Sequence, residues 1–146
     1  MAGFDMLNVL FVEDNEGDVR LVAEAVAEGS LPVELRAAPN AAAARAILEG
    51  ACDRRGAWAP HIILLDLNLP GPSGRDFLAE VKSDPKLQGI PVIVFTSSHA
   101  ADDIRVAYER HANSYVQKPR EFARLLDVLR AIVNFWLHAA VLPCHG

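Results

Sequence analysis

Along the chain, apolar runs too dense for one-sided burial alternate with stretches whose apolar residues recur every three or four positions. Residues 7–14, LNVLFVED, form an apolar run that stops in two acids and read as a strand. In residues 18–29, DVRLVAEAVAEG, the residues Val19, Val22, Ala23 and Val26 fall at helical spacing, and Gly29 reads as the stop. VELRAA (33–38) is a short strand, and Asn40 is a good N-cap for the alanine-rich helix AAAARAILEG (41–50). The polar stretch ACDRRGAWAP (51–60), punctuated by Gly and Pro, reads as a loop.

The second half continues the alternation. HIILLDLNLP (61–70) is apolar without a polar partner face, as expected of a central strand covered on both sides. A helix over GRDFLAEVKS (74–83), a strand in IPVIVFTSS (90–98) and a helix over ADDIRVAYERHA (101–112) follow. SYVQKP (114–119) makes a last strand, and residues 121–141 a long closing helix stopped by Pro143. Five strands alternating with five helices predict a parallel sheet covered on both faces, with working groups at the carboxyl ends of its strands.

Those ends carry Glu13 and Asp14 on the first strand, Asp66 on the third, Thr96 and Ser97 on the fourth, and Lys118 on the fifth. Singly, each has a plain structural reading: Asp14 or Asp18 as a helix cap, Asp66 as a turn cap, Thr96 as a strand-end hydroxyl bonded to backbone. Together they place three carboxylates, a hydroxyl and an ammonium in one cleft. Like charges about 4 Å apart repel by several kcal/mol at intermediate dielectric, so the cluster needs counter-charge. Lys118 supplies one unit. A divalent cation would supply the rest, and magnesium suits an all-oxygen site better than zinc, with manganese as an alternative. An aspartate beside such an ion, a lysine and a hydroxyl is arranged to accept a phosphoryl group.

The motifs FVEDN, LLDLNLPGPSG, VFTSS and YVQKP, in this order, resemble the receiver domain of two-component response regulators, from about residue 7 to residue 133. The resemblance implies a flavodoxin-like (βα)5 three-layer sandwich of strand order 2-1-3-4-5, extended here by a long C-terminal helix. It implies Asp66 as the phosphoacceptor for a sensor histidine kinase, and Glu13, Asp14, Asp66 and the Asn68 carbonyl as the metal site. By the same likeness Thr96, Ser97 and Lys118 bind the phosphoryl group, and the Lys118–Pro119 peptide is cis. Thr96 and Tyr115 form the switch. Such a protein is a phosphoacceptor that catalyses its own phosphotransfer and dephosphorylation rather than a conventional enzyme. EDNEGD, the 51–60 insertion and the tail resemble the regulators associated with phytochromes, so the kinase is expected to be of that light-sensing type.

Composition narrows the partners. A net charge of −5 with scattered Lys and Arg argues against nucleic acid, and no apolar stretch reaches the roughly 18–20 residues that span a bilayer, so a cytoplasmic protein is expected. The 146 residues suit one domain, 1–146, with a core at about 7–133 and an extension at 134–146, leaving no room for an output domain. Output then passes through a surface. The last helix is apolar around much of its girth, which predicts either a homodimer across it or a tail folded back on its own domain. Cys52 and Cys144 fit no metal or disulfide pattern. Two other chemistries fit less well. A haloacid-dehalogenase-type phosphatase wants a second Asp at 68, where Asn stands, and a flavodoxin-type cofactor site wants Gly, Ser and Thr after the first strand, where acids stand. A receiver-like scaffold that works without phosphorylation is the remaining alternative.

Overall fold

The computed structural model describes residues 5–71 and 73–143; Cys144 lies outside them. Five parallel strands, β1 (Leu7–Val12), β2 (Val33–Ala38), β3 (Ile62–Leu65), β4 (Val92–Thr96) and β5 (Ser114–Gln117), form one sheet in the order β2-β1-β3-β4-β5. Helices α1 (Glu16–Glu28), α2 (Ala41–Asp53), α3 (Gly74–Ser83), α4 (Ala101–Glu109) and α5 (Phe122–Asn134) connect and cover them. This is the parallel, doubly covered sheet that the strand–helix alternation predicts, in the flavodoxin-like order that the receiver resemblance implies.

The unbroken apolar runs are explained by what each strand face meets. Leu10, Val12, Ile63, Leu65, Val92 and Val94 point into a core shared with α2, α3 and α4. Their neighbours Val9, Phe11, Ile62, Leu64, Ile93 and Phe95 point the other way, into a core shared with α1 and α5. Successive strand residues face opposite sides, so two covered faces demand apolar residues at every position. With both faces apolar, a one-residue slip of a central strand would cost shape fit rather than hydrophobic burial, so polar residues at the strand ends help set the register. The adjacent registers Phe11 with Leu64 and Leu65 with Val94 bring the ends of β1, β3 and β4 level.

Asn40 caps α2 as predicted, its Oδ1 accepting the Ala43 N–H at 2.8 Å, whereas α1 is capped by Asn15, whose Oδ1 accepts the Asp18 N–H at 3.0 Å, and not by Asp14 or Asp18. Gly29 directly follows the last residue of α1, as expected of a stop, and the left-handed residue comes one later, at Ser30, φ 49°. Gly29 also lies close against α5: a Cβ there would sit 2.5 Å from Leu126 Cδ1, so the tip of that leucine would have to turn aside. Helix α2 runs through Asp53, so the predicted loop loses its first three residues to the helix. Within the loop, Trp58 packs against the core beside α2 while the Arg36 guanidinium stacks on its ring at 4.5 Å, making it a packing anchor.

The closing helix does not reach Val141. After Asn134 it continues as one π-type turn, Phe135–Ala139, and then extends. Leu125, Leu129, Val133 and Leu137 are buried, and Val128, Ile132, Trp136 and Leu142 pack partly buried against the same core. Much of the helix's wide apolar girth is thus satisfied within its own domain, Leu142 included. Phe122 is 38% exposed because it sits at the first position of α5, above a surface groove with Glu24 and Glu28. Phe135 at 53% and Val141 at 89% exposure are what remains outward. No helix among the described residues is long and apolar enough to cross a membrane.

Candidate functional site

The ends of β1, β3, β4 and β5 deliver the predicted set to one place. Ligand oxygens of Glu13, Asp14 and Asp66 all lie within 4.8 Å of one another. Glu13 and Asp66 are buried, 2% and 6% exposed, while Asp14 is open to solvent. Thr96, fully buried, donates its hydroxyl to Asp66 Oδ1 at 2.9 Å rather than to backbone. The Asn68 N–H donates to the same oxygen at 3.2 Å. Ser97, exposed at the mouth, lines a groove of about 300 Å³ with Lys118, Phe95 and Leu21.

Lys118 closes the site from β5. Its backbone N–H is held by the Thr96 carbonyl at 2.7 Å, and its ammonium contacts Glu13 Oε1, Asp18 Oδ2 at 2.8 Å and Asp66 Oδ2 at 3.4 Å. The expected cis Lys118–Pro119 peptide is not found: every described peptide bond is trans. Trans is the lower-energy form of an X–Pro bond by about 0.5–1 kcal/mol, and the four-carbon lysine stem reaches the acids from the trans chain.

The charged groups of this pocket touch one another, and each shifts its neighbours. Burial pushes the Glu13 carboxyl up, Lys118 pulls it back and Asp66 pushes it up again, leaving it at about 7. Burial also pushes Asp66 up, but hydrogen bonds from Glu13, Asn68 and Thr96, with the Lys118 charge, hold it below the usual carboxylate range. Burial would lower Lys118, yet Asp18, Glu13 and Asp66 raise it, so it stays charged. A buried acid half protonated near neutrality is a pocket short of positive charge. That shortage, together with an all-oxygen donor set, fits a hard divalent cation on Glu13, Asp14 and Asp66.

The loop bearing Asp66 is braced from beneath. Ser73 caps α3 through the Asp76 N–H at 3.2 Å, and the Gly74 N–H bonds the Leu67 carbonyl at 3.2 Å. A Cβ on Gly74 would lie 2.3 Å from the Asp66 carbonyl oxygen and 2.7 Å from Leu67 Cα, so only glycine lets α3 begin this close to the site. On the other side, the Tyr115 hydroxyl donates to the Ser98 carbonyl at 2.8 Å, and Ser98 bonds Asp103 at the start of α4, which pairs with Arg75 of α3. His99 and His111 are exposed, as their polar surroundings suggest, and His61 lies at the opposite strand ends, where its Nδ1 accepts the Asn8 N–H at 2.8 Å.

A sequence profile of the response regulator receiver domain matches residues 9–130. The chain belongs to this receiver family. This receiver is 41% identical over 135 residues to the response regulator Rcp1 of Synechocystis sp., covering 92% of each chain. A crystal structure of the Mn(2+)-bound form of Rcp1 matches it with a TM-score of 0.81 at 40% identity, over 94% of this chain and 99% of that one. The phosphorylated cyanobacterial phytochrome response regulator RcpA matches with a TM-score of 0.84 at 40% identity, over 95% and 99%. The receiver is thus related to phytochrome response regulators.

Two residues at the site were not singled out from the sequence. Asp18 reads there as a helix cap; it stands in the first turn of α1, and only the fold brings that turn to Lys118. Gly74 reads as an ordinary helix start, and nothing local distinguishes it.

Proposed function

We propose that this receiver accepts a phosphoryl group on Asp66 from a phosphohistidine of a sensor kinase of the phytochrome type. In this reading an Asp66 carboxylate oxygen forms the new O–P bond while the P–N bond to the donor imidazole breaks and its electron pair returns to the ring. The observation that carries the reading is the convergence of Thr96, Lys118 and the Asn68 N–H on one nearly buried, still ionised Asp66. A carboxylate kept below its usual range is a ready nucleophile, and the groups that keep it there are donors suited to a phosphoryl oxygen.

Magnesium, held by Glu13, Asp14, Asp66 and the Asn68 carbonyl, would supply the charge that the phosphoryl oxygens require. The protein's own groups do the rest. Thr96 hydrogen-bonds the arriving group, Ser97 leaves it room, and Lys118 pairs with it. As Thr96 is drawn to the phosphoryl group, Tyr115 exchanges its bond to the Ser98 carbonyl for an inward packing, loosening the β4–α4 connection. The whole chain acts as one receiver domain in the cytoplasm, with a second copy packed across the outward face of Phe135 and the tail.

The test is phosphotransfer from an autophosphorylated phytochrome-type histidine kinase to the wild type and to Asp66→Asn. Label moving to the wild type alone supports the reading. Label on neither, with tight binding to the kinase retained, makes the protein a scaffold.

A further inference from the structure

The Lys118 ammonium has three donors and three carboxylates around it. They are not equivalent. Glu13 Oε1 and Asp18 Oδ2, the latter at 2.8 Å, are close; Asp66 Oδ2, at 3.4 Å, is loose. The two close partners come from different elements, the end of β1 and the first turn of α1. They hold the ammonium from two directions, which leaves its third N–H facing the Asp66 oxygen.

Resting on the phosphoacceptor reading of Asp66, we infer that Asp18 is a positioning residue for Lys118, the second anchor that aims the ammonium at a phosphoryl group on Asp66. Asp18 suits this task. Its backbone is fixed in the helix by the Asn15 cap at 3.0 Å, and its side chain is 37% exposed, so its charge is solvated and adds little burial cost. It stands apart from the cluster of Glu13, Asp14 and Asp66. It therefore acts on the lysine and not on the cation. Asp18 also lines the groove that opens beside Lys118 and Ser97, so it stands where a donor approaches. Without it, Lys118 keeps one close anchor and can swing toward that groove.

The test follows Asp66 phosphorylation by acetyl phosphate at saturating magnesium, read by intact mass. The carboxylate gains the O–P bond as the bond from phosphorus to the acetyl oxygen breaks and acetate leaves. Asp18→Ala should slow uptake about 5- to 10-fold, the scale of losing one partly exposed charge-assisted hydrogen bond. Asp18→Asn keeps an oxygen acceptor in place and should stay within about 2-fold of the wild type. Manganese half-saturation, followed by electron paramagnetic resonance, should change by less than about 2-fold in both variants, a pattern that general unfolding would not give. Uptake by Asp18→Ala as fast as the wild type, or faster through relief of repulsion, overturns the inference. So does an equal loss in Asp18→Asn, or a parallel loss of manganese. If the wild type itself takes up no phosphoryl group, the phosphoacceptor reading falls and this inference with it, whereas uptake by the wild type with an unaffected Asp18→Ala removes this inference alone.

Discussion

Replacing Gly74 with alanine tests how the fold holds the site. The new methyl would lie 2.3 Å from the Asp66 carbonyl oxygen and 2.7 Å from Leu67 Cα, against ordinary carbon contacts of about 3.5–4 Å. Both obstacles are backbone, so no rotamer change relieves them. Either α3 withdraws from the sheet or the Asp66–Leu67 peptide moves, by about 1 Å in each case. Withdrawal loosens Phe77, Leu78 and Val81, which α3 buries against β3 and β4. Overpacking of this kind costs about 1–3 kcal/mol, and contacts with rigid backbone belong at the upper end. For a chain of this size, about 3 kcal/mol lowers Tm by roughly 6–12 °C. If the peptide moves instead, Asp66 leaves its bonds to Thr96 and Asn68, and a misplacement of about 1 Å can cost on the order of 100-fold in rate. Thermal unfolding and acetyl phosphate uptake on the same preparation measure both effects. A variant with unchanged Tm and unchanged uptake would refute the claim that glycine is required for this close approach.

Three other outcomes are expected. Glu13, raised from 4.5 to about 7, binds a proton on folding, so its contribution to metal-free stability is full below about 4.5 and is lost as pH rises through 7. Asp66, shifted the other way, contributes stability above its ordinary range and loses it only under stronger acid, leaving Glu13 to govern the interval between. Urea unfolding at pH 5.5 and 8 should show metal-free protein weaker at pH 8, and manganese affinity should fall up to about ten-fold per pH unit below 7 as the ion displaces that proton; Glu13→Gln should abolish both dependences. Lys118→Met leaves Glu13 and Asp66 without their ammonium and should destabilise by about 2 kcal/mol at pH 8, less at pH 6 where Glu13 can take up a proton. Phe135→Ser alters a half-exposed ring and should convert the proposed dimer to a monomer by light scattering; a monomeric wild type, or a variant of unaltered mass, would contradict the proposed packing across Phe135.

The architecture was legible because the strands are covered on both faces. Runs such as IILL and VIVFT have no other stable place, and each ends in the polar residue that its parallel neighbours bring into the cleft. The acids, Thr96 and Lys118 were legible for the same reason, since strand ends are set by apolar run lengths. What escaped depends on approach rather than pattern. That Gly29 lies against Leu126 of α5 while Ser30 takes the left-handed turn depends on where α5 lands, which local residues do not encode. Asp18 needs the height of α1 relative to β5, and the trans Lys118–Pro119 bond needs the path of the chain beyond β5. The π-type turn at Phe135 likewise has no periodic signature, because five residues are too few to shift an apolar stripe.

The central claim is that Asp66 is the side chain that carries the phosphoryl group. Treating the protein with acetyl phosphate and magnesium, reducing with borohydride and mapping the peptides tests this directly, because borohydride converts an acyl phosphate of aspartate into homoserine. The account predicts homoserine at position 66 in the wild type and none in samples left without the donor. Conversion at another acid, or at none while the protein remains folded, would contradict it.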